Sequence, residues 1–285
     1  MNMIIEKIDL AHQAGIRRCF EALDPAISDF TFANLYLFRN VCRYRFVRNA
    51  DSVIACTMEN DEPCWMPLRD LRQFNKGHLI ELMKAYGVLY PVPEEWIEAF
   101  SGIEFMVTCN ESEMDYLYRA DKLATLKGGG LLRKRNRLKK FFSLYEHSAA
   151  PLGEKNVREA THILDAWQTE TGISATQTDY GPCLEALHLL HELHLEGMLY
   201  YVEKQPSGFL IGERLNEKTF VIHFAKGIKK YKGFYEYMFN DAANRLLPQY
   251  EYLNFEEDLG KESLKIMKSS YNPDIMIKKF RIRLK

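Results

Sequence analysis

One order of elements occurs twice along this chain, and it constrains the fold more than any other feature. In the first half, residues 10–23 and 29–41 read as helices; the second opens at Ser28 or Asp29, either of which can accept hydrogen bonds from the free amides of a first turn. The runs 44–49, 52–58 and 64–68 are β-branched and aromatic and are broken by Asn49, Asp51, Asn60 and Asp61, which predicts an antiparallel meander. A helix follows over 76–86, with Leu79, Ile80, Met83 and Tyr86 at helical spacing, then a short helix over 94–100 and a strand over 103–108.

The second half reads as strand 143–149, helices 153–171 and 180–195, and strands 198–204, 208–215 and 219–226. Helix 234–247, strand 250–255, helix 261–268 and a closing strand 275–284 complete it. Two halves that each run helix, helix, three strands, helix, strand predict a duplicated α/β unit. The expected division is 1–125, a basic linker helix over 126–142, and 143–285.

Charge is distributed unevenly. Lys plus Arg number 38 and Asp plus Glu 39, yet segments 127–140, 226–232 and 278–285 hold seven, four and five basic residues and no acid. The other 256 residues carry 22 basic and 39 acidic side chains. If the fold gathers the three segments, they make an anion site on an acidic body; otherwise they are three solvated faces. The candidates for polyanion contact are Arg133, Lys134, Arg135, Arg137, Lys279, Arg281 and Arg283, the last three on a strand whose alternate residues are cationic.

No apolar run approaches the roughly 18 uncharged residues of a membrane span. Glu6 and Asp9 interrupt any signal-peptide core, so the expected location is cytoplasmic. The six cysteines, Cys19, Cys42, Cys56, Cys64, Cys109 and Cys183, form no CxxC pair and read as buried free thiols. His188, His191 and His194 lie three residues apart, a spacing that drifts around a helix, so no metal site is expected.

The element order is also that of the acyltransferase superfamily. The segments 28–40, 115–141 and 254–273 resemble an uncharacterised bacterial family related to the C-terminal catalytic domain of phosphatidylglycerol lysyltransferase. Tyr118, the Lys134-Arg135-Asn136 triplet, Asp258-Leu259-Gly260, Lys268, Ser270, Tyr271 and Pro273 carry the resemblance. It implies two fused acetyltransferase-like (GNAT-like) α/β domains, each a mixed, mostly antiparallel sheet flanked by helices. It also implies transfer of an acyl or aminoacyl group from acyl-CoA or aminoacyl-tRNA to an amine or hydroxyl acceptor on a small molecule, peptide or lipid, with no tightly bound cofactor. A noncatalytic protein that binds tRNA, nucleotide or anionic lipid on the same fold is the alternative.

In that superfamily the loop before the helix that follows the meander presents amides to a pyrophosphate. Lys226, Lys229, Lys230, Lys232 and Gly233 are the corresponding donor-binding candidates, with the bulky Tyr235 where a small residue belongs. Direct transfer needs a base and a proton donor. Glu256 and Glu257, just after strand 250–255, and Tyr271, after the next helix, are the catalytic candidates.

Overall fold

The computed structural model describes residues 4–48, 53–57 and 61–285; the expected breaks Asn49, Asp51 and Asn60 lie outside them. The chain forms two compact units, Met1–Asp115 with Ile277–Lys285, and Tyr116–Met276. The expected boundary near residue 125 is therefore ten residues late, and the closing residues belong to the first unit.

The first unit contains β1 (Ile4–Lys7), α1 (Gln13–Leu23), α2 (Phe32–Leu37), β2 (Arg45–Arg48), β3 (Val53–Thr57), β4 (Pro63–Pro67), α3 (Lys76–Tyr86), β5 (Val88–Val92) and β6 (Phe105–Cys109). β7 (Asp115–Arg119), α4 (Ala120–Thr125), α5 (Leu132–Leu144), β8 (His147–Pro151), α6 (Val157–Thr171) and α7 (Tyr180–His188) follow. Then come β9 (Glu196–Val202), β10 (Gln205–Arg214), β11 (Thr219–Gly227), α8 (Phe234–Leu246), β12 (Tyr252–Asn254), α9 (Glu262–Ser269), β13 (Ile275–Ile277) and β14 (Phe280–Leu284).

The sheets have the orders β1-β2-β3-β4-β5-β14-β6 and β8-β9-β10-β11-β12-β7-β13. They are the same pattern, and in each the sixth place is filled by a strand from the other half of the chain. β4 and β5 run parallel, as do β11 and β12, so the repeat extends to strand sense.

Several expected elements differ. The helix expected from residue 29 starts at Phe32, because Thr31 is its cap, accepting the Asn34 amide. Ser28 is diverted: its amide and hydroxyl both donate to Asp115, whose carboxylate also meets Lys279 at 2.7 Å. Asp29 pairs with the same ammonium at 2.6 Å. Lys279 is fully buried among these groups, so it cannot contact a polyanion. The closing strand accordingly breaks in two at Lys278 and Lys279.

The alternate residues of β14 are neutralised within the first unit: Arg281 meets Glu113, and Arg283 grips both oxygens of Glu62. The cationic strand face expected as a polyanion contact is instead a row of ion pairs. Cys56 and Cys64 stand directly opposite in the β3–β4 register and form a disulfide, so these two are not free thiols. Helix α7 ends at His188; His191 and His194 lie in the turns beyond it, and all three side chains are exposed.

Candidate functional site

β11 and β12 pair over only three residues, Thr219–Val221 against Tyr252–Asn254. Beyond that, β11 continues to Gly227 while the chain leaving β12 turns aside. Backbone that parts company in this way must satisfy its polar groups otherwise. The Asn254 side chain accepts the Glu256 amide at 2.7 Å, the Glu256 carbonyl accepts the Tyr116 amide at 3.2 Å, and Glu256 takes a φ of 59°.

Residues that carry the family resemblance hold this turn. Lys268 is buried and its ammonium donates to the carbonyls of Glu256 and Glu257. The Lys268 carbonyl accepts the Tyr118 hydroxyl at 2.8 Å. Asp258 accepts the Gly260 amide at 2.8 Å and the Tyr116 hydroxyl at 2.6 Å. The turn after β12 is thus clamped from β7 and α9, and it carries two partly open glutamates, Glu256 and Glu257, of which Glu256 is the one that meets a buried histidine.

Glu256 Oε1 lies 2.7 Å from Nδ1 of His223, and Nε2 of His223 lies 3.2 Å from Glu213 Oε1. The His223 and Glu213 side chains are 1% and 2% exposed, whereas Glu256 retains 19%. Burial alone would push the imidazole down, but the carboxylates of Glu256 and Glu213 overcome it and lift its pKa to about 10. His223 is therefore an imidazolium donating to two carboxylates. For Glu256, burial outweighs the pull of that cation and holds the carboxyl above the ordinary glutamate range. A partly open carboxylate, raised in basicity and oriented by a buried cation, can accept a proton from an incoming group.

Glu256 and Glu257 were expected here; Glu213 and His223 were not. Their signal was present, since each is a charged or titratable residue flanked by apolar ones in a mostly apolar strand, GFLIGERL and TFVIHFAK.

The loop before α8 differs from a phosphate cradle. Gly233 has a φ of 88°, and a Cβ there would lie 2.7 Å from the Arg137 carbonyl of α5. The Tyr235 hydroxyl bonds the amide and carbonyl of Gly227 at 3.1 and 3.2 Å. Phe234 lies on the cross-strand pair Gly208 and Gly227, where a Cβ on either would meet its ring at 2.5 and 2.8 Å. Lys226 is buried, bonded at 2.7 Å to both Asp179 oxygens and stacked 3.7 Å above Trp167. Of the five donor-binding candidates, Gly233 is covered and Lys226 is consumed by a carboxylate; Lys229, Lys230 and Lys232 remain exposed.

The basic helix is likewise partly structural. Lys134 is buried, 3.3 Å from Glu236 and 3.9 Å from the centre of the Tyr271 ring, and burial pushes its ammonium pKa down against the pull of Glu236. Arg137 shares Glu236, and Arg135 donates to the Leu126 and Gly128 carbonyls. Arg133 is exposed.

Tyr271 is 1% exposed, packed against Tyr118 and Phe239, and its hydroxyl has no hydrogen-bond partner among the described residues. Burial holds its pKa far above the ordinary tyrosine range. The expected proton donor is a core ring.

The strand order, the parting of β11 from β12 and the repetition of the pattern define a pair of fused acetyltransferase-like units, the fold of tandem GNAT-like acyltransferases. The chain belongs to the family of the phosphatidylglycerol lysyltransferase C-terminal domain, whose model matches residues 20–283. A conserved protein of unknown function from Bacteroides thetaiotaomicron VPI-5482 superposes with a TM-score of 0.88 at 26% identity over 100% of both chains. An uncharacterised protein of Mycoplasmoides gallisepticum is 25% identical, covering 95% of this chain and 88% of its own. L-PGS from Bacillus licheniformis shares the fold, with a TM-score of 0.63 at 13% identity over 98% of this chain and 93% of that one. Family and fold make the protein a transferase of the acyl- or aminoacyl-transfer type. Among the described residues, no helix is long and apolar enough to cross a membrane.

Proposed function

We propose that this chain transfers an aminoacyl group from an ester donor, aminoacyl-tRNA, to an amine or hydroxyl acceptor, with Glu256 as the general base. The observation that carries this reading is the Glu256 carboxylate, partly open beside the gap between β11 and β12 and bonded at 2.7 Å to a buried imidazolium. The acceptor's N–H or O–H attacks the ester carbonyl and gives its proton to Glu256. The bond from acceptor to acyl carbon forms, the ester C–O bond breaks, and the proton passes to the departing ribose oxygen. His223 stays protonated throughout and holds the carboxylate in place, with Glu213 as its second partner.

An ester donor is favoured over acyl-CoA by the loop before α8. Its glycine is covered by α5 and its first lysine is neutralised by Asp179, which leaves little of the pyrophosphate cradle. The test is Glu256→Gln, which keeps size and hydrogen bonding while removing the base. Transfer from aminoacyl-tRNA to a mixed panel of amine and hydroxyl acceptors should fall by roughly 10²-fold or more with folding intact. Unaltered turnover would end the assignment.

A further inference from the structure

At the other end of β12 from Glu256, where α8 gives way to the strand, the second unit holds a cavity of about 310 Å³ that opens to solvent. Pro248 cannot continue the helix, so the chain folds back, and the Leu246 carbonyl accepts the amides of both Gln249 and Tyr250 at 2.9 Å. Tyr250 is buried with its ring 5.4 Å from that of Phe220, which fixes one wall, and Leu247 lines the cavity with 41% of its surface exposed. The Ala120 amide donates to the Glu251 carbonyl at 2.9 Å, and Arg119 stands opposite Tyr252 in the β7–β12 register. The end of β7 is thereby brought to the same cavity, which Arg119, Asp121 and Glu251 also line.

The Arg119 guanidinium spans two carboxylates, with Nε 3.1 Å from Asp121 and Nη1 3.4 Å from Glu251. Its Nη2 makes no hydrogen bond to the described residues. Asp121 lowers its own pKa by this pairing, and the three side chains leave a negative excess beside a guanidinium that still has donors to offer.

We propose that this cavity binds a free α-amino acid as its zwitterion, with the ligand carboxylate on Nη2 of Arg119, the ammonium between Asp121 and Glu251, and an apolar side chain against Leu247 and Pro248. A simple anion would meet two carboxylates, and a simple cation would leave the guanidinium fork unused. A ligand carrying both signs one carbon apart satisfies both. The volume lies at the small end of the roughly 300–1,000 Å³ of ligand sites, which suits a single amino acid better than a peptide or a nucleotide. None of Glu213, His223 and Glu256 lines the cavity, so the site goes beyond the transfer reaction. Its position still bears on that reaction. β7 carries Arg119 at one end and, about 10 Å along the strand, Tyr116, whose hydroxyl bonds Asp258 of the catalytic turn. β12 likewise lies between Glu251 and Glu256.

The experiment is isothermal titration calorimetry of the full chain with L-leucine, with L-leucinamide, which lacks the carboxylate, and with isocaproate, which lacks the ammonium. Leucine should bind saturably, and each analogue about tenfold or more weakly, the factor that one charge-assisted hydrogen bond supplies. Arg119→Gln should weaken leucine binding about tenfold or more, and Asp121→Asn with Glu251→Gln should do the same. Leu247→Asp, which charges the apolar wall, repeats the test should either of these fold poorly. Glu256→Gln should bind leucine as the unaltered protein does, so failure of the transfer assignment and failure of this site are read separately. Absence of saturable binding, equal affinity for leucinamide or isocaproate, or leucine binding that survives in folded Arg119→Gln overturns the proposal.

Discussion

The backbone carbonyl of Arg137 stands 2.7 Å from where a Cβ of Gly233 would be. Two helices therefore touch through a glycine, α5 by its main chain and α8 by its N-cap. Gly233→Ala should destabilise the protein by roughly 2–4 kcal/mol, combining a left-handed backbone with overpacking. Urea denaturation measures it. A variant as stable as the parent would mean that α5 can move off the loop.

His223 should remain an imidazolium well above neutral pH. Its folded pKa of about 10 exceeds the ordinary 6.5, so the stability it contributes is complete below pH 6.5 and is lost as pH rises through about 10. Its ring C–H resonances in an NMR titration should not move between pH 6 and 8. Glu213→Gln, which removes one carboxylate, should bring the titration down. A midpoint near the ordinary histidine value in the unaltered protein would contradict the paired geometry.

Lys279 is the cation between Asp29 and Asp115, and its side chain is 0% exposed. Lys279→Met removes the buried cation that two carboxylates share and should cost about 3–5 kcal/mol in unfolding free energy. Lys139→Ala, on an exposed helix face, should stay within about 0.5 kcal/mol. Equal effects of the two substitutions would show that the buried pair contributes nothing.

Tyr271→Phe should leave turnover unchanged. The hydroxyl it removes has no hydrogen-bond partner among the described residues, so the variant should be as stable as the parent or about 1 kcal/mol more stable, read as a melting-temperature shift. A large fall in turnover at unchanged stability would restore a chemical role to that oxygen.

The duplicated order was legible because apolar spacing distinguishes helix from strand, and the loop bearing Glu256 followed from its place after a strand. Local pattern reports which face a residue buries, but not which sheet receives it. Strand β7 was therefore unrecognised, and Lys279 read as a polyanion contact on a cationic strand face although two aspartates distant in sequence enclose it. Ser28 and Asp29 look like helix caps by type, and only the fold reveals that Asp115 and Lys279 claim them. β5 was missed because VLYPV contains a proline, whose lack of an N–H interrupts the ladder with β14 and shifts its register. His223 was legible and overlooked, since a lone imidazole within TFVIHFAK has to find a partner.

The exchange of β7 and β14 sets an order on biosynthesis. The first sheet has β5 and β6 as separated edges until residues 280–284 arrive to bridge them. While the ribosome is still translating the second half, the first therefore exists with an open seam, available to chaperones and to other nascent chains. Folding of the earlier half is completed by a strand translated only after the second half, so a frameshift or stop codon near residue 279 would spoil the half that was translated long before it.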